Sequence, residues 1–297
     1  MIIDVHAHIT YHRFPEFVQK LNRKEFTAEI LLKRMDMERI DKSVILPLSN
    51  PENADQFGVS NIFEALEAAR KYPDRLIAFC NVDPRAMMNS PEADLSKVLT
   101  VYKEMGCKGV GEVCSNIYFD DKRAMNLFYH CGECKMPIIF HMADRIGGVY
   151  GLVDDIYIPR LEKVLKEFPK TIFIGHAPAF WAEIDGNVDI ETRGHYPKGK
   201  IKKPGRLQEL LKKYPNLYGD LSAGSGYNAI SRDPDFGYKF LEEFNNKLLF
   251  GTDRFTSADE PIPDIIPFIK NAFEENKISK GAYDNITHKN AQKIIGE

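Results

Sequence analysis

The chain has 297 residues, 43% of them hydrophobic and 28% charged, an ordinary globular balance with enough apolar mass for a full core. Lys+Arg 40 against Asp+Glu 43 leaves a net charge of −3, which excludes a basic field able to hold nucleic acid non-specifically. No apolar run reaches transmembrane length, and a core strand begins directly after Met1 with no room for a signal peptide, so a cytoplasmic protein without a membrane partner is expected.

In chain order, short β-type runs that stop at a polar residue fall at 2–5, 43–48, 76–82, 108–113, 137–141, 171–176, 216–221 and 247–251. Amphipathic stretches with helical spacing lie between them at 28–40, 60–72, 94–105, 121–135, 159–168, 205–214, 235–244 and 263–273. Each apolar run is nearly continuous rather than alternating, as expected for strands covered on both faces of a parallel sheet. Eight strands alternating with helices predict an α/β fold, a (β/α)8 TIM barrel formed by one domain over 1–297. Residues 287–295 read as one more helix, packed on the outside. No repeat, low-complexity tract or linker interrupts the pattern. Barrel helices often pair with a second copy, so a homodimer stays open.

Five cysteines make an odd count that suits a reducing compartment. Cys131 and Cys134 form a lone Cys-x-x-Cys within a helical stretch, with no second pair to complete a tetrathiolate site. We read them as helix packing.

The chemistry sits at the strand ends. The first run closes on His6 and His8, and residues i and i+2 of a strand face the same side. Two neutral imidazoles so placed suit a borderline metal such as zinc. The fourth run ends at Glu112, the fifth at His141, the sixth at His176, and the eighth leads into Asp253. A barrel of this kind builds its active site at the C-terminal mouth, where these six side chains would meet.

The segments Val5-His-Ala-His8, Pro137-Ile-Ile-Phe-His141, Phe173-Ile-Gly-His176 and Leu249-Phe-Gly-Thr-Asp253 resemble the metal-dependent amidohydrolase superfamily. The resemblance is closest to its amidohydrolase-related branch, called amidohydrolase-2. Tyr218-Gly-Asp-Leu-Ser-Ala223 and Asn290-Ala-Gln-Lys-Ile-Ile295 are similar to that branch too, so the likeness spans the chain. It implies one divalent metal, most simply Zn2+, held by His6, His8, His141 and Asp253, with His176 beside it. Glu112 stands where binuclear relatives keep a bridging carboxylate, and Gly109-Val-Gly-Glu-Val113 resembles the corresponding strand of TatD-type nucleases. Glu112 therefore either bridges a second metal or orients a ligand histidine from outside.

The resemblance further implies a small-molecule substrate and a choice between two reactions. The first is hydrolysis of a small carboxylated ester, lactone or amide by metal-activated water, with Asp253 carrying the proton and His176 stabilising charge on the substrate oxygen. The alternative is non-oxidative decarboxylation of a small aromatic or unsaturated acid. The long connection at 177–205 carries Trp181, Glu183, Asp185, Arg193, His195 and Tyr196, and loops of that length are usually lids or binding segments. Tyr11, His12, Arg13 and Phe14 follow the first strand. Trp181, Arg145 and Arg254 are expected at the substrate, the two arginines either pairing with a substrate carboxylate or forming structural ion pairs.

Overall fold

The computed structural model describes residues 1–255, 259 and 261–296. Nine strands occur among them: β1 Ile3–Ala7, β2 Lys42–Ile45, β3 Leu76–Ala78, β4 Val110–Val113, β5 Ile138–Ala143, β6 Leu152–Val153, β7 Phe173–His176, β8 Leu217–Asp220 and β9 Leu248–Leu249. Eight correspond to the expected runs, and all pairings between them are parallel. The ninth, β6, is a two-residue strand added to the edge of β5 beyond the barrel wall. It is too short to carry a periodic signal.

The wall runs β1-β2-β3 and β4-β5-β7-β8-β9, and backbone hydrogen bonds join the two arcs. Cys80 N donates to Gly109 O at 2.9 Å and Gly111 N to Cys80 O at 2.8 Å on one side. On the other, Val5 N donates to Phe250 O at 3.0 Å and Asp253 N to His6 O at 2.7 Å. The barrel thus closes. Among the described residues no helix is long and apolar enough to cross a membrane.

Strand periodicity sorts the side chains into two cores. Ile45, Ala78, Phe140, Phe173, Leu217 and Leu248 point outward into the layer packed against the helices. Val44, Leu46, Ile77, Phe79, Ile139, Ile174, Tyr218 and Leu249 fill the barrel interior. Two residues further along the interior stripes of β5, β7 and β8 come His141, His176 and Asp220. The alternation that buries the core therefore also delivers polar side chains inward at the mouth.

Strand β1 needs one correction of phase. Ile3 and Val5 both face inward, so simple alternation would turn His6 out. A register shift between Asp4 and Ala7 against β2 absorbs the extra residue and brings His6 and His8 inside. The helix Asn290–Ile295 also departs from expectation: it does not lie on the outside. Ala291, Ile294 and Ile295 pack into the interior cluster, and Asn290 Nδ2 donates to Leu248 O at 2.8 Å, so this helix closes the base of the barrel.

The helix Ile62–Lys71 shows how the mouth loops are tethered. Asn61 accepts from Phe63 N and Glu64 N, and Glu64 reaches back to Asn61 N, a reciprocal cap worth about 1 kcal/mol. The second carboxylate oxygen of Glu64 accepts from His12 N and Arg13 N, both at 3.1 Å, which fixes the loop after β1.

Candidate active site

Three histidine tautomers are set by their outer partners. His8 Nδ1 lies 2.7 Å from the carbonyl of Leu46, which can only accept, so this nitrogen carries the proton and Nε2 a lone pair. His6 Nδ1 lies 2.7 Å from Asp220 Oδ2, with the same consequence. Ser222 spends its one hydroxyl proton on Asp220 Oδ2 at 2.8 Å, so its oxygen accepts from His176 Nδ1 at 2.9 Å. Asp220 is buried, which opposes its charge, but the imidazoles of His6 and His176 overcome that penalty and hold it well below the usual carboxylate range. Each of the three rings turns an Nε2 lone pair toward the barrel axis.

These lone pairs converge. His6 Nε2 and His8 Nε2 are 3.2 Å apart. Asp253 Oδ1 lies 3.4 Å from each, and Glu112 Oε2 lies 3.7 Å from each. Donors around a tetrahedral zinc with bonds of about 2.0–2.2 Å stand about 3.3–3.6 Å apart, so the spacing suits such an ion. Two facing nitrogen lone pairs beside two carboxylates repel one another unless a cation or proton lies between them. The donor set therefore fits a divalent metal.

The other half of Glu112 faces a second set. Its Oε1 is 2.7 Å from His141 Nδ1 and 3.7 Å from His176 Nε2. Gly111, with φ +143, places this carboxylate; a Cβ there would stand 2.7 Å from Ile139 O. Asn81 holds the next backbone step, donating to Glu112 O at 2.6 Å. Burial opposes the charge of Glu112, yet the imidazoles of His141 and His6 keep its carboxyl well below the ordinary range.

The expected site residues thus divide. His6, His8 and Asp253 come together, but His141 does not complete their cage; its imidazole turns to Glu112 Oε1. Glu112 takes the fourth place. His176 is adjacent to both carboxylates, with Asp253 Oδ2 at 3.8 Å. Since its Nδ1 proton goes to Ser222, neutral His176 offers the centre a lone pair, and only its protonated form could donate to a substrate oxygen. Asp220 and Ser222 had been noted only as part of a motif. The signal for Asp220 was its place on the interior stripe of β8, two residues past Tyr218, with Ser222 two residues further on.

Three side chains expected at the substrate are engaged elsewhere. Trp181 is 2% exposed, packed behind β8 against Phe180 and Phe240, and its Nε1 donates to Asp220 O at 2.9 Å. It lies on the helix Pro178–Trp181, which folds back onto the strands instead of reaching the mouth. Arg254 is buried in an ion pair with Glu38 and also donates to Pro261 O at 3.1 Å. Arg145 stays at the rim, half-exposed, paired with Asp144 at 2.9 Å. Arg254 is committed, whereas Arg145 meets Asp144 through Nη1 alone.

From the long connection, Arg193 is buried, donating to Asp154 O at 2.8 Å beside Glu183 at 3.4 Å, and Asp185 pairs with Arg232. Gly194 and Tyr196 do reach the mouth. Gly194 borders a cleft of about 570 Å³ with His141, Asp144, Tyr150 and Glu52. Tyr196 borders another of about 660 Å³ with Asp253 and Arg254. His12 and Arg13 are tied to Glu64 and Glu67, while Tyr11 and Phe14 line a separate depression. Cys131 and Cys134 are free thiols, Cys131 in the helix-facing core, as the packing reading expects.

A family model described as amidohydrolase matches residues 3–296. No curated protein matches the chain at significance. Among solved structures, the chain is similar to an amidohydrolase from Burkholderia multivorans with bound zinc (TM-score 0.65, 13% identity, covering 100% of this chain and 99% of that one). It is similar to a probable 2-pyrone-4,6-dicarboxylic acid hydrolase from Acinetobacter baumannii (0.58, 15%, 100% and 99%). It is also similar to 5-carboxyvanillate decarboxylase from Novosphingobium aromaticivorans complexed with manganese (0.58, 16%, 100% and 96%). At these identities the likeness carries the fold.

Proposed function

From the premise that the chain belongs to the amidohydrolase family, we propose that it is a metal-dependent hydrolase of small esters, lactones or amides. The observation that carries this reading is the convergence of His6 and His8 Nε2, 3.2 Å apart, with Asp253 Oδ1 at 3.4 Å and Glu112 Oε2 at 3.7 Å from each. A divalent cation there, Zn2+ in the simplest case, supplies a Lewis acid that polarises a carbonyl and acidifies water near neutral pH. A second ion would draw on Glu112 Oε1 and His176 Nε2, 3.7 Å apart, with His141 Nδ1 holding Glu112 Oε1 as a hydrogen-bond donor.

The chain's own groups do the rest. Asp253 is the one cage carboxylate with substantial exposure, 29% against 6% for Glu112. It is therefore the group that takes a proton from the attacking water and returns it to the leaving group. Asp220 and Ser222 fix the tautomers of His6 and His176, so neither ring rotates or exchanges its proton during turnover. The proposal departs from the carboxylated substrate read from the sequence, because Arg145 and Arg254 are both ion-paired.

The test is a turnover panel on protein loaded with zinc or manganese, following acid production and CO2 release together. Acid production that a chelator abolishes and added metal restores is the expected result. CO2 release from aromatic acids, with no acid from any ester, lactone or amide, would overturn the hydrolase reading.

A further inference from the structure

A third apolar cluster, separate from both cores, sits at the mouth directly over the cage. Its buried members are Leu48, Val59 and Cys114, with Phe57, Tyr150 and Phe255 packed partly buried against them. Phe57 meets Tyr150 edge to face at 5.8 Å and Phe255 at 6.2 Å. Each outer ring then leans on a histidine of the centre, Tyr150 on His141 beside Glu112 at 4.6 Å and Phe255 on the cage histidine His8 at 5.8 Å. The three rings thus span the mouth from β1 to β5. They wall a recess of about 200 Å³ whose floor is His8, Glu112, His141 and Asp253.

Apart from the cage ligands, His141 and the Tyr150 hydroxyl, one polar side chain among the described residues lines that recess. Asn53 is 1% exposed, and its Oδ1 is buried with no hydrogen-bond partner among the described residues. It precedes the helix Ala54–Phe57 but makes no side-chain cap to it. A buried amide oxygen without a donor costs about 1–3 kcal/mol, a cost that a ligand N–H or O–H would remove. Among the described residues no lysine or arginine lines this recess or the adjoining 570 Å³ cleft, where Glu52 and Asp144 are paired with Arg85 and Arg145.

We propose that the recess seats an uncharged, planar apolar group bearing one hydrogen-bond donor, which Asn53 reads through its Oδ1. For the reaction this rests on the hydrolase reading and narrows it to neutral substrates carrying an aromatic or similar flat group; for binding it stands alone. The aromatic walls supply offset and edge contacts to a flat ring. With Glu112 and Asp253 on its floor and no cationic side chain among its described lining, the recess offers an anion no partner, and Asn53 discriminates by the donor.

The test uses binding, so it does not depend on turnover. Indole, 1-methylindole and indole-5-sulfonate are titrated into zinc-loaded protein by calorimetry. They share a ring but differ in the donor or the charge. Indole is expected to bind about tenfold tighter than 1-methylindole, the equivalent of one satisfied hydrogen bond, with the sulfonate weaker than both. Asn53→Leu should erase the difference between indole and 1-methylindole, whereas Asn53→Asp, which keeps an acceptor, should preserve it. Equal affinity for the two neutral ligands in the wild-type protein, or tighter binding of the sulfonate than of indole, would overturn the proposal. Loss of acid production in the turnover panel with the indole preference intact would refute the hydrolase reading and leave this one standing.

Discussion

Asp253 meets His6 twice. Its backbone amide donates to the carbonyl of His6 at 2.7 Å, and its side chain stands 3.4 Å from the Nε2 of the same residue. The aspartate achieves this on a left-handed backbone, φ +55, a conformation that Asp tolerates better than most residues and that recurs at functional sites. One peptide conformation therefore both stitches the last strand to the first and aims a carboxylate at the cage.

Asp253→Asn tests the proton carrier. The amide keeps an oxygen able to ligate but removes the base, so kcat should fall ~10²–10⁴-fold while KM and most of the bound metal are retained. Steady-state kinetics alongside metal analysis reads both. Near wild-type turnover would reject Asp253 in this role.

Glu112→Gln tests the shared carboxylate. Its two oxygens face two donor sets, so wild-type protein saturated with zinc should approach two ions per chain, and the variant about one. Elemental analysis after removal of free metal decides it. A wild-type value that stays at one would confine the centre to His6, His8, Glu112 and Asp253.

Asp220→Asn addresses the outer partner of His6. An amide can present its NH2 to His6 Nδ1, which permits the wrong tautomer and turns a proton into the cage. Metal affinity should drop ~10–100-fold in competition with a chelator, with the fold intact by circular dichroism. Unchanged affinity would mean the carboxylate does not set the tautomer.

Trp181→Phe separates packing from substrate contact. The change deletes the Nε1 donor to Asp220 O and part of the ring buried behind β8. Stability in urea should fall by about 1–3 kcal/mol, with KM unchanged on any substrate found. A raised KM without loss of stability would return Trp181 to the binding site.

The barrel was readable because eight buried strands each leave a continuous apolar run, and a polar residue marks where each run reaches solvent. The same marks single out His6, His8, Glu112, His141, His176 and Asp253, whose side chains the structure gathers at one mouth. The sharing of ligands was not readable. Whether His141 faces His6 or Glu112 depends on ring rotation and on the register shifts in β1 and β4, which leave no periodic trace. Trp181 was misplaced because a tryptophan in a long connection looks exposed; only the fold shows the helix Pro178–Trp181 turning back onto β8. Both readings of the arginines were open, and sequence could not choose the ion pairs because the partner lies far off, as Glu38 does for Arg254, or is a neighbour whose geometry composition does not reveal, as Asp144 is for Arg145. Asn53 carried no signal at all, since an unpaired amide oxygen is a property of its surroundings.

The seam between β1 and the segment after β9 has a consequence for how the protein matures. Asp4 accepts from Thr252 N and Oγ1 across 248 positions of chain, and the cage straddles the same joint. His6 and His8 leave the ribosome long before Asp253 does. No partial chain holds the complete cage, so a divalent ion bound by all four donors binds only the closed barrel. It stabilises that state by about 4 kcal/mol when free ion exceeds Kd a thousandfold. In the proposed metal-loaded protein, capture of an ion by all four groups would follow closure of the barrel, and the ion would act as a clasp across the joint between the first and last strands.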